Sequence, residues 1–306
     1  MGIKSFRRWY LVAGFISDGK SYLGARLAVL RSTQNSDGGW GYFAGRASWL
    51  EPTAYAALAL AGEPAADRAW KLLSSWQLPD GSWKPAAVVQ APSWGTSLCA
   101  TIAMSRNDWG QPLANAVNWL VGNSGAESAW LNVAVSRLGL VKQERNIALK
   151  CWPWKPGNSG WVEPTVHALV ALKQASVKLS GAELRSRVEM GEAQLMDVRS
   201  RDGGWNYGSP AALGVDLPSY PETTALALIA LQGRDGFGKV FDLARRQMGE
   251  TPSPMARAWL TIAMRLHGVK PEELKGDPQS DLMITGIEAL AAPEGNYRAM
   301  QTGAAA

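Results

Sequence analysis

The chain has 306 residues, 46% hydrophobic and 19% charged, a globular composition that excludes a disordered polymer. Its net charge of +5 is modest, and lysine and arginine are scattered apart from pairs such as Arg7-Arg8 and Arg245-Arg246, so the basic stripe of a nucleic-acid partner is missing. Two cysteines, Cys99 and Cys151, make no disulfide framework and set a reducing cytoplasm as the expected location.

The first element is 3-IKSFRRWYLVAGFI-16, a basic start followed by a short apolar run. No small-residue cleavage site follows, and the run is too short to span a bilayer. It reads as an amphipathic helix packed on the ring, with a degenerate twin-arginine signal or peripheral contact at a membrane surface as the alternatives.

Next comes a helix-period segment, 22-YLGARLAVLRST-33, then the loop 34-QNSDGGWGYFAGRASW-49, then a helix opened by Glu51-Pro52-Thr53 that is apolar almost all round and ends at Gly62. This order repeats. The amphipathic segments return at residues 66–77, 111–122, 183–198 and 237–248, and the loop at 77-QLPDGSW-83. Trp152, Trp161, Glu163, Pro164 and Thr165 each lie 112 residues after Trp40, Trp49, Glu51, Pro52 and Thr53. A further copy, 202-DGGWNYGSPAALGVDLPSYPETTALALIAL-231, carries six extra residues between loop and helix. A period of roughly 40 to 60 residues is the mark of stacked supersecondary units that share one core.

An all-round apolar helix belongs inside and an amphipathic one between that interior and water. The pattern therefore predicts an all-α alpha/alpha toroid, with inner helices starting near residues 51, 94, 127, 163, 222 and 254 and a short helix at 280–290 closing the ring. Residues 1–19 form an N-terminal segment, 20–291 the repeat domain and 292–306 a flexible tail. The weak point is 141-VKQERNIALK-150, where an outer helix is expected and only a polar segment stands.

The loops share a Gln-x-x-Asp-Gly-Gly-Trp pattern, carried by Gln34, Asp37, Gly38, Gly39 and Trp40, by Gln77, Asp80, Gly81 and Trp83, and by Asp202, Gly203, Gly204 and Trp205 with Arg199 for the glutamine. Glycine permits the sharp turn, aspartate bonds its amides, and tryptophan covers the adjoining helix ends, so most of the 15 tryptophans are structural staples. The pattern resembles the QW motif of the squalene and oxidosqualene cyclases and related terpenoid cyclases, and more loosely the repeats of protein prenyltransferase beta subunits. The resemblance covers roughly residues 20–291 and implies the toroid of that superfamily.

It also implies a chemistry. Cyclases of this superfamily protonate an alkene or epoxide from an aspartate motif whose best local match is 220-YPETTA-225, which puts Glu222 at the proton donor. A carboxylic acid facing an apolar cavity stays protonated because desolvation disfavours its anion. The other reading of Glu222 is a helix-start carboxylate facing the positive end of the dipole, the role expected of Glu51 and Glu163 in the same register. Trp49, Trp94, Trp161 and Tyr220 are the candidate aromatic walls for a carbocation, and Tyr55 and His167, in matching places on two inner helices, complete the candidate substrate-binding set.

No Asp-x-Cys, Asp-Asp or Asp-x-Asp occurs, so neither the prenyltransferase zinc site nor a magnesium-held diphosphate is expected, and no metal or cofactor is predicted. The expectation is a class II, protonation-initiated cyclase acting on an acyclic isoprenoid small molecule. The alternative is a non-catalytic toroid that binds an isoprenoid lipid or a protein partner.

Overall fold

A tryptophan whose indole and backbone N–H are both buried must find acceptors for both, and this requirement recurs in four loops. The backbone N–H of Trp40, Trp83, Trp152 and Trp205 donates to the hydroxyl of Thr53, Thr96, Thr165 and Thr224 at 2.9, 2.9, 3.0 and 3.1 Å. Each indole N–H donates to the carbonyl of Leu30, Leu73, Leu120 or Leu195 at 2.6 to 2.9 Å. One residue thus ties the end of an outer helix to the start of an inner one. All four indoles are at most 2% exposed.

The rest of the loop serves that tie. Asp37, Asp80 and Asp202 accept from the amide two residues on. Gln34 donates to the carbonyls of Gly38 and Ala65, and Gln77 to those of Gly81 and Pro112, so each glutamine also reaches the next outer helix. Gly38 and Gly81 have φ of 94° and 91°, and a Cβ there would lie 2.8 and 2.5 Å from a carbonyl oxygen of that same helix. Only glycine fits.

The structure, a computed structural model, describes residues 21–140 and 145–303. In chain order its helices are α1 (Tyr22–Thr33), α2 (Leu50–Ala59), α3 (Pro64–Ser74), α4 (Thr96–Ser105), α5 (Gln111–Gly122), α6 (Trp130–Arg137), α7 (Val162–Ala175), α8 (Ala182–Asp197), α9 (Pro221–Ala230), α10 (Gly238–Glu250), α11 (Pro254–Leu266) and α12 (Leu282–Ala291). Helix α2 packs on α4, α4 on α7, α7 on α9, α9 on α11, α11 on α12, and α12 back on α2, which closes the ring. Outside it, α3 lies on α2, α5 on α4, α8 on α7, α10 on α9 and α11, and α1 on α12. The fold is the expected all-α toroid. The six residues inserted in the fourth loop form a two-stranded hairpin, β1 (Ala211–Ala212) and β2 (Val215–Asp216), turned by Leu213 and Gly214 with φ of 53° and 77°.

Two expectations are corrected. Helix α6, expected as the third inner helix, has no buried residue, and Trp130 is 80% exposed. No Asp-Gly-Gly-Trp loop precedes it, so nothing fastens it to the ring. The Trp152 indole instead bonds back to Leu120 of α5, which makes the stretch between them an insertion into one repeat. The sixth inner place is filled by α12.

The tail at 292–306 was expected to fray, yet a 3-10 turn at Tyr297–Met300 docks on α4 and α11 with Met300 buried. Gln174 donates to the carbonyls of Ala299 and Gln301, and Gln232 to that of Met300. These glutamines come from the ring, a feature that tail composition does not show. The N-terminal segment, the middle of the weak stretch (141–144) and residues 304–306 lie outside the described residues. No described helix is long and apolar enough to cross a membrane.

Replacing Thr53 by valine keeps its shape but leaves the Trp40 amide without an acceptor, which costs about 1–3 kcal/mol. Urea denaturation of Thr53→Val should show a loss in that range, and an unchanged midpoint would refute the tie.

Candidate functional site at the toroid mouth

The starts of the inner helices are bound to neighbouring loops through the backbone. Leu50 N–H donates to Pro85 O at 2.8 Å, Trp94 N–H to Trp154 O at 3.0 Å, Val162 N–H to Tyr207 O at 2.9 Å, and Leu282 N–H to Tyr42 O at 2.7 Å. These bonds gather the loops around one mouth of the ring. Two residues before each latch threonine stands Glu51, Trp94, Glu163 or Glu222, and four before stand Trp49, Trp161 and Tyr220, the residues that precede α2, α7 and α9. Trp49, Trp161 and Tyr220 are 37%, 42% and 42% exposed, so three aromatic faces border the mouth.

No described backbone amide donates to any of the three glutamates, so none is a helix cap. Glu51 accepts from the Tyr42 hydroxyl at 2.8 Å and from the Trp94 indole at 3.2 Å. Glu222 accepts from the Tyr207 hydroxyl at 2.8 Å. Glu163 has no hydrogen-bond partner among the described residues. Burial pushes its carboxyl up to about 7, helped by the negative charges of Glu51 and Glu222. Burial also raises Glu51, against the lowering effect of its two donors. Glu163 therefore feels the charge of the other two. Among the described residues, however, no group of three or more His, Cys, Asp or Glu is close enough to hold a metal.

At the mouth opens a cavity of about 460 Å³ bordered by Trp161, Tyr207, Tyr220, Leu217, Asn206 and Arg145, and Tyr207 links it to Glu222. The rings of Tyr207 and Tyr220 lie 5.2 Å apart. Arg145 is not free to receive an anion, since its guanidinium donates to the carbonyls of Gly160 and Gly208 and pairs with Glu127 at 3.1 Å.

The inner ring itself is filled. Tyr55, Trp94, His167 and Trp259 are all buried, and their rings meet at centroid distances of 5.0 to 5.9 Å along Trp94–His167, Tyr55–Trp259 and His167–Trp259. Tyr55 and His167 share a hydrogen bond of 3.3 Å. Burial lowers the imidazole to about 3, so His167 is neutral at physiological pH and is no source of protons. Of the sequence-derived candidates, Trp49, Trp161, Tyr220 and Glu222 are at the open mouth, Trp94 bridges mouth and interior, and Tyr55 and His167 lie in the packed interior.

Sequence reasoning missed Tyr42 and Tyr207. The signal was present, for each stands two residues after a latch tryptophan, in Trp-Gly-Tyr and Trp-Asn-Tyr. The third loop has Trp154 at that place, packed edge-on against Trp94 at 5.2 Å.

No protein-family model matches the chain, and no curated protein matches it in sequence. Solved structures do match in fold. The type II terpene cyclase MstE from Scytonema, in its apo form, aligns with a TM-score of 0.51 at 16% identity over 80% of this chain and 71% of its own. A variant of MstE in complex with its substrate geranylgeranyl dihydroxybenzoate aligns with a TM-score of 0.54 at 14% identity, covering 91% and 96% of the two chains. An inactive variant of the alpha-1,6-mannanase GH76A of Salegentibacter sp., in complex with alpha-1,6-mannotriose, gives 0.57 at 8% identity over 88% and 98%. At these identities the likeness is one of fold, and the toroid carries at least two unrelated chemistries.

A depressed imidazole adds stability above the unfolded-state value near 6.5, and that contribution fades as pH falls toward about 3. Proton NMR of a His267→Gln variant, which leaves His167 as the single histidine, should show no imidazole titration between about pH 5 and 8. A midpoint near 6.5 would place His167 in water instead.

Proposed function

We propose that the mouth of this toroid binds an acyclic isoprenoid small molecule and protonates it, so that the chain acts as a class II, protonation-initiated terpenoid cyclase. The observation that carries this reading is the convergence of three inner-helix carboxyls on a mouth walled by Trp49, Trp161, Tyr207 and Tyr220. Protonation needs a carboxylic acid that keeps its proton near neutral pH, and the aromatic faces offer negative quadrupoles to the cation that follows. The fold it shares with a terpene cyclase whose substrate carries a geranylgeranyl chain supports the substrate class.

In such a reaction the acid's O–H bond breaks and its proton adds to a terminal alkene carbon or an epoxide oxygen. The electrons of an internal double bond then close the ring. The final carbocation gives up a proton to a carboxylate of the cluster, from which the acid is recharged. Cyclisation is an isomerisation, and no outside oxidant or reductant enters.

A specific observation favours the second reading, a binding module without turnover. Tyr55, Trp94, His167 and Trp259 pack together inside the ring, and the cavity at the mouth is open to water, where a carbocation is less protected than in an enclosed site. A lipid held across the aromatic mouth, or a protein partner that closes over it, suits that geometry.

Incubation of the purified chain with squalene, farnesyl- and geranylgeranyl-derived substrates, followed by mass spectrometry, separates the two. The cyclase reading expects cyclised products that disappear in a variant with Glu51, Glu163 and Glu222 all changed to glutamine. A bound isoprenoid that co-purifies unchanged with both proteins would leave the binding module.

A further inference from the structure

We infer that Glu163, rather than Glu222, is the group that stores and delivers the proton at the mouth, with Glu51 and Glu222, each bonded to a phenol, as its neighbours. The inference rests on the protonation reading above and deepens it by assigning the donor. Its ground is a difference between three otherwise equivalent positions. Glu51 and Glu222 each accept from a phenol of their own repeat, Tyr42 and Tyr207. In the repeat of Glu163 that place is taken by Trp154, which brings no hydroxyl, and no other described donor reaches the carboxyl.

A hydrogen bond to a carboxylate favours its anion, so Glu163, half-buried and with no donor among the described residues, is the one of the three without that support. The groups that act on Glu163 from neighbouring elements sharpen the preference. Glu51 on α2 and Glu222 on α9 oppose a third negative charge, and the phenols Tyr42, Tyr55 and Tyr207 within range are neutral. No described cation forms an ion pair with it. A cluster of three carboxyls therefore carries its first proton on Glu163. When that proton passes to the ligand, the new carboxylate faces the new carbocation, and the charge pair offsets the cost of an unpartnered anion. Two groups join Glu163 to the open cavity: Trp161, two residues before it, borders that cavity, and so does Tyr207, the phenol bonded to Glu222, whose charge acts on Glu163.

The site of the proton is read without any substrate. Infrared difference spectra of the purified chain, titrated between about pH 5 and 9, record the carbonyl stretch of a protonated carboxyl. The expected result is a band with a midpoint near 7 that is absent from Glu163→Gln and kept in Glu51→Gln and Glu222→Gln, with its midpoint lowered in both because one opposing charge is gone. A second variant guards against misfolding. Trp154→Tyr restores the phenol of the other repeats and should lower the midpoint while Glu163 stays in place.

The assignment is overturned if the wild-type chain has no such band, or if the band survives in Glu163→Gln and vanishes in either other variant. Turnover, where the chain has it, should fall at least about 100-fold in Glu163→Gln with KM unchanged. If no isoprenoid is converted but the infrared pattern is as expected, the cyclase reading fails and the location of the proton stands.

Discussion

The structure depends on one constraint: a buried tryptophan amide must be answered by a threonine at the head of the next helix. Because the same residue's indole is answered by the carbonyl end of an outer helix, outer end and inner start are fixed on a single side chain. The loop between them must then double back, and the aspartate and glycines are what doubling back requires. Two residues before each threonine lies a position that the tie delivers to the mouth of the ring. Three of the four such positions hold glutamate, and the fourth holds Trp94, whose indole donates to Glu51. The chemistry of the mouth is thus a by-product of the device that builds the ring.

This explains how far the sequence could be read. The loops, the latch tryptophans and threonines, and the sided helices are all spaced along the chain, so ring, layer order and helix types were legible. Helix α6 was misplaced because its composition matches an inner helix, while its missing loop, which decides the matter, is a negative sign. The tail was misjudged because its partners, Gln174 and Gln232, belong to distant helices. At the mouth, Trp49, Trp161, Tyr220 and the glutamates could be found by register. Which glutamate lacks a donor could not, because that depends on contacts between Tyr42, Tyr207 or Trp154 and a side chain nine to fifteen residues on.

Filling of the inner ring bears on function as much as the mouth does. Tyr55 and His167 occupy equivalent places on facing parts of the ring, and register alone made them candidates to line a chamber. Their rings instead meet each other, Trp94 and Trp259, and the one polar pair among them satisfies itself. A buried aromatic cluster of this kind serves stability and displaces the space where a long chain could fold up. Among the described residues, exposed aromatic faces and carboxyls lie together at the open rim.

Magnitudes decide the state of that rim. A carboxylate in the first turn of a helix gains about 0.3–1 kcal/mol from the helix dipole, which favours the anion at all three glutamates alike. A rise from 4.5 to about 7 corresponds to roughly 3 kcal/mol in favour of the acid. At Glu163 burial and the two neighbouring carboxylates outweigh the dipole; burial raises Glu51 as well, but there a phenol and an indole work on the same side as the dipole. Helix position, which is common to all three, therefore cannot set their roles. The difference comes from the second residue after each latch tryptophan, where a phenol in two repeats is replaced by an indole in the third.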